Sequence, residues 1–285
     1  MMALLMQPWQ YDYMAKAIWM SALVGGVCAF LSAYLILKGW SLMGDALAHS
    51  VVPGVAGAYA LGLPIAAGAF FTGMLAALLM ALARHYCRLR EDAIIGFVFT
   101  TFFAAGLLLL SLNPTAVNVQ SIIFGNILGI ADQDARQAQI IIIVSFLVLC
   151  VIWKDLMAIF FDESHAASIG LSPLRLKVIF FILLSACTVA ALQTVGALLV
   201  IAMMMTPGAT AYLLTDRFSR LIIIAVINGV MTSAVGAWLS YFLDGATGGV
   251  IVSLQTLVFL LAWMFAPKRG LLAVKRGRRR KCKAP

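Results

Sequence analysis

Residues 137–160 read QAQIIIIVSFLVLCVIWKDLMAIF, an almost continuously apolar run. A helix needs about 20 such residues to cross the roughly 30 Å hydrocarbon core of a bilayer. The run lacks the alternation of apolar and polar residues that is typical of a membrane β-strand. It therefore predicts a transmembrane helix.

Similar apolar runs continue along the chain in both directions. Of the 285 residues, 64% are hydrophobic and 11% are charged, too few charges to cover a soluble domain. We predict an all-α, polytopic membrane bundle of about eight to nine helices, with a transmembrane domain at 13–266 between an N-terminal segment at 1–12 and a basic tail at 267–285. The nine candidate spans are 13–37, 41–61, 65–83, 93–112, 137–160, 174–192, 195–214, 219–243 and 247–266.

Lysine and arginine predict the orientation of the chain, because these residues accumulate on the cytoplasmic side. Most of the 20 basic residues lie on one side if the C-terminus is cytoplasmic and there are nine crossings. We therefore expect the N-terminus outside and the tail inside. The tail is expected to bind the anionic inner leaflet rather than nucleic acid.

Two connections between the predicted spans are unusually long. The outer connection, 113–136, includes an apolar stretch at 122–129 that is too short to cross the membrane and predicts an interfacial helix. The inner connection, 161–173, has acids at its start and a glycine near its end, which favours a short helix parallel to the membrane. Its notable residues are Asp162, Glu163, His165 and Gly170.

Asp45 and His49 are the acid and the histidine that lie within an apolar run rather than at its edge. Their spacing of four residues places both side chains on one helical face, about one turn apart. An ionised aspartate within the bilayer costs about 2.5–3.5 kcal/mol on insertion scales, so it requires water, a partner or an ion. Carboxylate and imidazole together suit Mn²⁺, Fe²⁺ and Zn²⁺. The alternative is that Asp45 lies at a helix start, where the helix dipole favours an acid, and that His49 is hydrogen-bonded inside the bundle.

Two prolines predict helix breaks near these residues and in a later span. Pro53 has no N–H group, so the carbonyl oxygen of His49 is expected to lack its helical partner. Pro207 predicts a second break by the same rule.

Three stretches resemble the permease subunits of manganese, zinc and iron ABC importers. They are GWSLMGDALAHSVVPG at 39–54, FDESHAASIG at 161–170 and GALLVIAMMMTP at 196–207, and they occur in the order seen in that family. The chain looks most similar to the manganese and iron systems of the Sit or Yfe type. The resemblance implies that Asp45 and His49 line the metal path, and that the loop with Asp162, Glu163, His165 and Gly170 couples the permease to its ATPase.

The same resemblance implies a function. The chain would be a bacterial inner-membrane permease that imports a divalent metal ion, with the ion as transported substrate and no permanently bound cofactor. It would not be an enzyme, since a separate ATPase dimer would hydrolyse ATP. The sequence has no GxxxxGK[ST] phosphate loop, in agreement with that division. A second permease, identical or paralogous, and a periplasmic or lipoprotein metal-binding protein would complete the system.

Two other functions stay open at this point. A proton-coupled secondary transporter for divalent metals would be expected to carry several intramembrane acids or histidines. An ABC permease for a metal chelate or cobalamin would line its path with apolar and aromatic surface, and would not need the Asp45 and His49 pair.

Overall fold

The computed structural model describes residues 7–86, 90–112, 132–266 and 270, and every regular element among them is helical. A 3₁₀ turn at Gln7–Gln10 comes first. The helices that follow are α1 (Asp12–Lys38), α2 (Met43–Ser50), α3 (Val52–Leu61), α4 (Ile65–Tyr86), α5 (Glu91–Leu112), α6 (Asp132–Phe161), α7 (Glu163–Ser168), α8 (Pro173–Val195), α9 (Ala197–Leu214), α10 (Phe218–Leu243) and α11 (Thr247–Phe265).

Within those described ranges, eight helices are long and apolar enough to cross a membrane. They are α1, α4, α5, α6 and α8 to α11, and they confirm the predicted helical membrane protein. The interfacial helix predicted at 122–129 and nearly all of the basic tail lie outside the described residues.

The predicted span at 41–61 is not one helix. The chain forms α2 and α3 instead, which meet at Val51. Pro53 explains the break, because proline cannot donate to the preceding turn but is well placed in the first turn of a new helix. At the other end of α3, Gly62 adopts a left-handed conformation with φ of 67° and caps the helix.

Contacts between Cα atoms divide the chain into two compact units. The first unit comprises Met1–Ile36 and Ala202–Pro285, and the second comprises Leu37–Ile201. In the second unit, α8 packs on α4 and α6, α3 packs on α4 and α5, and α2 packs on α5. Gly54 of α3 and Gly68 of α4 allow the backbones of these two helices to meet directly, since a β-carbon on either would overlap the other's carbonyl oxygen.

In the first unit, a serine of α1 is hydrogen-bonded to α9 beside Pro207. The buried Ser32 hydroxyl accepts a hydrogen bond from the backbone N–H of Gly208 at 3.0 Å and donates to the carbonyl of Met205 at 3.3 Å. The prediction that Pro207 breaks its helix is wrong, because α9 continues through it from Ala197 to Leu214. Ser32 thus makes two hydrogen bonds to the backbone of α9, one on each side of Pro207.

Replacing Ser32 by alanine is expected to destabilise the protein by about 1–3 kcal/mol, because the buried N–H of Gly208 loses its acceptor. Thermal unfolding of the purified protein in detergent measures this effect. Ser21→Ala is the matched control, since Ser21 is equally buried on α1 and its hydroxyl has no partner among the described residues. Equal melting temperatures for the two variants would contradict the role given to Ser32.

Candidate metal centre

Asp45 and His49 lie at the two ends of the short helix α2, on one face. The imidazole Nε2 of His49 is 3.2 Å from the carboxylate Oδ1 of Asp45, with the side chains 27% and 38% exposed respectively. The prediction that the two share a helical face is confirmed. Both side chains are therefore partly exposed.

The separation of these two atoms matches the spacing of neighbouring ligands on one metal ion. Ligands about 2.0–2.2 Å from an ion at angles of roughly 90–110° lie about 3.0–3.4 Å apart. The two atoms are thus close enough to bind one ion together. Among the described residues, no group of three or more histidine, cysteine, aspartate or glutamate side chains converges on one point. The pair therefore supplies only part of a coordination shell of four to six ligands.

Two phenylalanines of α5 pack against His49. The ring centroids of Phe99 and Phe103 each lie 5.3 Å from the imidazole centroid, at angles of 63° and 71°. These contacts are not predictable from the sequence. In an apolar run, a phenylalanine that faces a ligand is indistinguishable from one such as Phe97, which is 72% exposed.

The backbone directly after His49 differs from the prediction in one respect. As predicted, Pro53 cannot give the His49 carbonyl oxygen its helical hydrogen bond. That oxygen is not free, however, because it accepts a hydrogen bond from the N–H of Val51. The turn at Val51 provides this local donor where the helix ladder ends. The Ser50 hydroxyl also donates to the carbonyl of Ala46 at 2.6 Å, which closes the last turn of α2.

The residues predicted to couple the chain to an ATPase lie together on and around α7. The Oδ1 atom of Asp162 accepts hydrogen bonds from the backbone N–H groups of Ser164 and His165, at 2.9 and 3.1 Å, and so caps the helix. Glu163 forms an ion pair with Lys177 of α8 at 2.6 Å. Gly170 follows with a φ of 86°, a conformation that favours glycine. The predicted short helix thus forms, and its residues are a group separate from Asp45 and His49.

Replacing Asp162 by alanine is expected to destabilise α7 locally by about 1 kcal/mol, because two backbone N–H groups lose their acceptor. Hydrogen exchange of the α7 amides should then be about fivefold faster. Asp162→Asn is the matched control, since asparagine caps helices about equally well. Unchanged exchange in the alanine variant would show that the cap does not hold α7.

Comparisons with known proteins agree with this architecture. The model of the ABC 3 transport family matches residues 10–266. Over 285 residues the chain is 76% identical to the chelated iron transport system membrane protein YfeC of Yersinia pestis, covering 100% of this chain and 97% of that protein. It is 48% identical to the manganese transport system membrane protein MntB of Synechocystis, over 94% of this chain and 88% of that protein.

A solved structure shows the same fold. PsaBC from Streptococcus pneumoniae, in complex with Fab, matches with a TM-score of 0.84 and 32% identity over 96% of this chain and 100% of the matched chain. The family match spans most of the sequence, and the relatives are similar along nearly their whole length. The chain therefore belongs to the ABC 3 transport family, as a multi-pass membrane permease of an ABC transporter.

Proposed function

We propose that the chain is the permease subunit of an ABC importer for Mn²⁺ or Fe²⁺, with Zn²⁺ as a third candidate. The observation that carries this proposal is the Asp45 and His49 pair, whose nitrogen and oxygen lie 3.2 Å apart on one face of a short helix. Iron and manganese transport are the functions named for its relatives YfeC and MntB. Oxygen and nitrogen ligands suit these metals.

In this proposal, a second permease completes the metal site. Two such pairs, from identical or paralogous subunits, would supply two carboxylates and two imidazoles, which balance the 2+ charge of the ion. Water molecules would fill the remaining positions for Mn²⁺ or Fe²⁺, whereas Zn²⁺ would be satisfied by four ligands. The ion is the transported substrate and does not stay bound.

The other partners follow from the same proposal. A periplasmic or lipoprotein metal-binding protein delivers the ion to the outer mouth of the path in the bacterial inner membrane. A dimer of separate ATPase subunits docks at α7 in the cytoplasm, where the exposed side chains of Glu163 and His165 are available. ATP-driven closure of that dimer moves α7 and opens the path inward. The C-terminus is cytoplasmic in this arrangement.

Uptake of radiolabelled Mn²⁺ tests the proposed function in bacterial cells that lack their own manganese and iron importers. Cells that produce the whole complex should accumulate the ion. Unlabelled Fe²⁺ or Zn²⁺ should reduce Mn²⁺ uptake in proportion to the affinity of the transporter for each metal. The decisive experiment uses an ATPase-inactive partner subunit. Uptake by an ABC importer should then stop, whereas uptake by a proton-coupled transporter should continue. Uptake that survives the inactive ATPase but collapses with the proton gradient would overturn the proposal.

A metal chelate or cobalamin substrate is distinguished in the same cells. Free Mn²⁺ should be taken up without any added chelator, and an excess of cobalamin should not compete. Uptake that requires a chelator would favour the chelate permease instead.

A further inference from the structure

We infer that Phe99 and Phe103 are positioning residues for the His49 imidazole and thereby set the affinity of the metal path. This inference rests on the proposed function, because it assigns residues that hold one ligand of the proposed site. Neither phenylalanine can bind the metal through a ligand atom. Their role follows from the way they confine His49.

The two phenylalanine rings form a continuous support for the imidazole. They lie one turn apart on α5, nearly parallel, with an interplanar angle of 10° and centroids 6.0 Å apart. His49 meets each ring at a steep angle and at the same distance of 5.3 Å. Such edge-to-face contacts are favourable and directional, which restricts rotation of the imidazole.

Asp45 completes the confinement of the imidazole. Its carboxylate holds Nε2 through a contact of 3.2 Å, while the two rings contact the imidazole from α5. A ligand that is already held in its bound orientation loses less conformational entropy when the ion arrives. The two rings therefore raise metal affinity through pre-organisation.

Gly106 keeps α5 close enough for this contact. It lies on the same face of α5 as the two phenylalanines, one turn beyond Phe103. A β-carbon at this position would lie 2.8 Å from Cγ1 of Val52 and 2.9 Å from the backbone nitrogen of Pro53. The absence of a side chain thus lets α5 approach the start of α3, only a few residues from His49. One face of α5, which carries Phe99, Phe103 and Gly106, therefore supports the His49 imidazole.

Uptake kinetics of the complete transporter in cells test the inference, with Mn²⁺ as the probe. Phe99→Leu and Phe103→Leu should each raise the Mn²⁺ concentration for half-maximal uptake about fivefold, with little change in maximal rate. The reason is that loss of one aromatic contact typically weakens a binding equilibrium by about fivefold. The double variant should raise it about 25-fold. Phe103→Tyr keeps the ring and should restore near wild-type half-saturation. Phe97→Leu, on the exposed side of α5, is the matched control.

A second variant tests the same support without removing either ring. Gly106→Ala should displace α5 and raise the half-saturating concentration while both phenylalanines remain. Unchanged half-saturation in the double leucine variant, or a Phe103→Tyr variant as impaired as Phe103→Leu, would overturn the inference. A fall in maximal rate that merely tracks the amount of protein in the membrane would overturn it as well.

The His49→Ala variant separates this inference from the proposed function. If His49→Ala transports normally, the proposed site is wrong. If His49→Ala is inactive while the double leucine variant keeps wild-type half-saturation, the site stands and only the positioning role fails.

Discussion

Replacing His49 by glutamine or Asp45 by asparagine is expected to lower Mn²⁺ uptake by at least about 100-fold. A residue that is only hydrogen-bonded to a metal ligand typically contributes about 10- to 100-fold, so loss of the ligand itself should cost no less. Both replacements keep a polar side chain of similar size, which leaves the short helix α2 intact. Radiolabelled uptake, normalised to the amount of permease in the membrane, measures the effect.

The control for these two variants is Asp134→Asn, an exposed acid in the first turn of α6. It should transport at the wild-type rate. Normal uptake by both the Asp45 and His49 variants, at normal membrane levels, would remove the metal-ligand role from the pair. Loss of protein from the membrane would instead indicate that the pair stabilises the fold.

Replacing Gly54 by alanine is expected to destabilise the protein severely, by about 3 kcal/mol or more, because overpacking typically costs about 1–3 kcal/mol and this contact involves backbone. The new methyl group would overlap the carbonyl oxygen of Gly68 and the hydroxyl of Thr72. Backbone atoms cannot rotate away as a side chain does, so α3 and α4 would have to separate. Thermal unfolding in detergent and the level of protein in the membrane both report this change.

Gly57→Ala is the matched control on the same helix. Among the described residues, no atom outside the backbone of α3 itself lies within 4 Å of a β-carbon built at Gly57, so alanine should fit there and favour the helix slightly. The two variants make the same chemical change three residues apart. Similar stabilities would show that the Gly54 and Gly68 contact does not determine the packing of α3 on α4.

The membrane helices were predictable because their cause is local. A continuous apolar run such as 137–160 must hydrogen-bond its own backbone within the bilayer, whatever packs beside it. The helical face shared by Asp45 and His49 was predictable for the same reason, since it depends only on helix periodicity. The cap at Asp162 also depends on neighbours in sequence.

Features that depend on distant contacts were not predictable. Pro207 is predicted from the sequence to break its helix, yet α9 continues through it, and Ser32 of α1 is hydrogen-bonded beside it. The roles of Phe99 and Phe103 are similarly hidden, because only tertiary packing distinguishes them from lipid-facing phenylalanines. At Pro53 the break was predicted, but the turn that satisfies the His49 carbonyl was not.

The division of the chain has a consequence for its biosynthesis. The first compact unit joins residues 1–36 to residues 202–285, so its two parts leave the ribosome at the beginning and at the end of translation. While the intervening segment is made, the face of α1 that carries Gly25 and Ser32 has none of its eventual neighbours from α9 and α10. A nascent chain that stalls just after residue 201 therefore presents an incomplete helix face to chaperones and proteases, although its contiguous second unit is already synthesised.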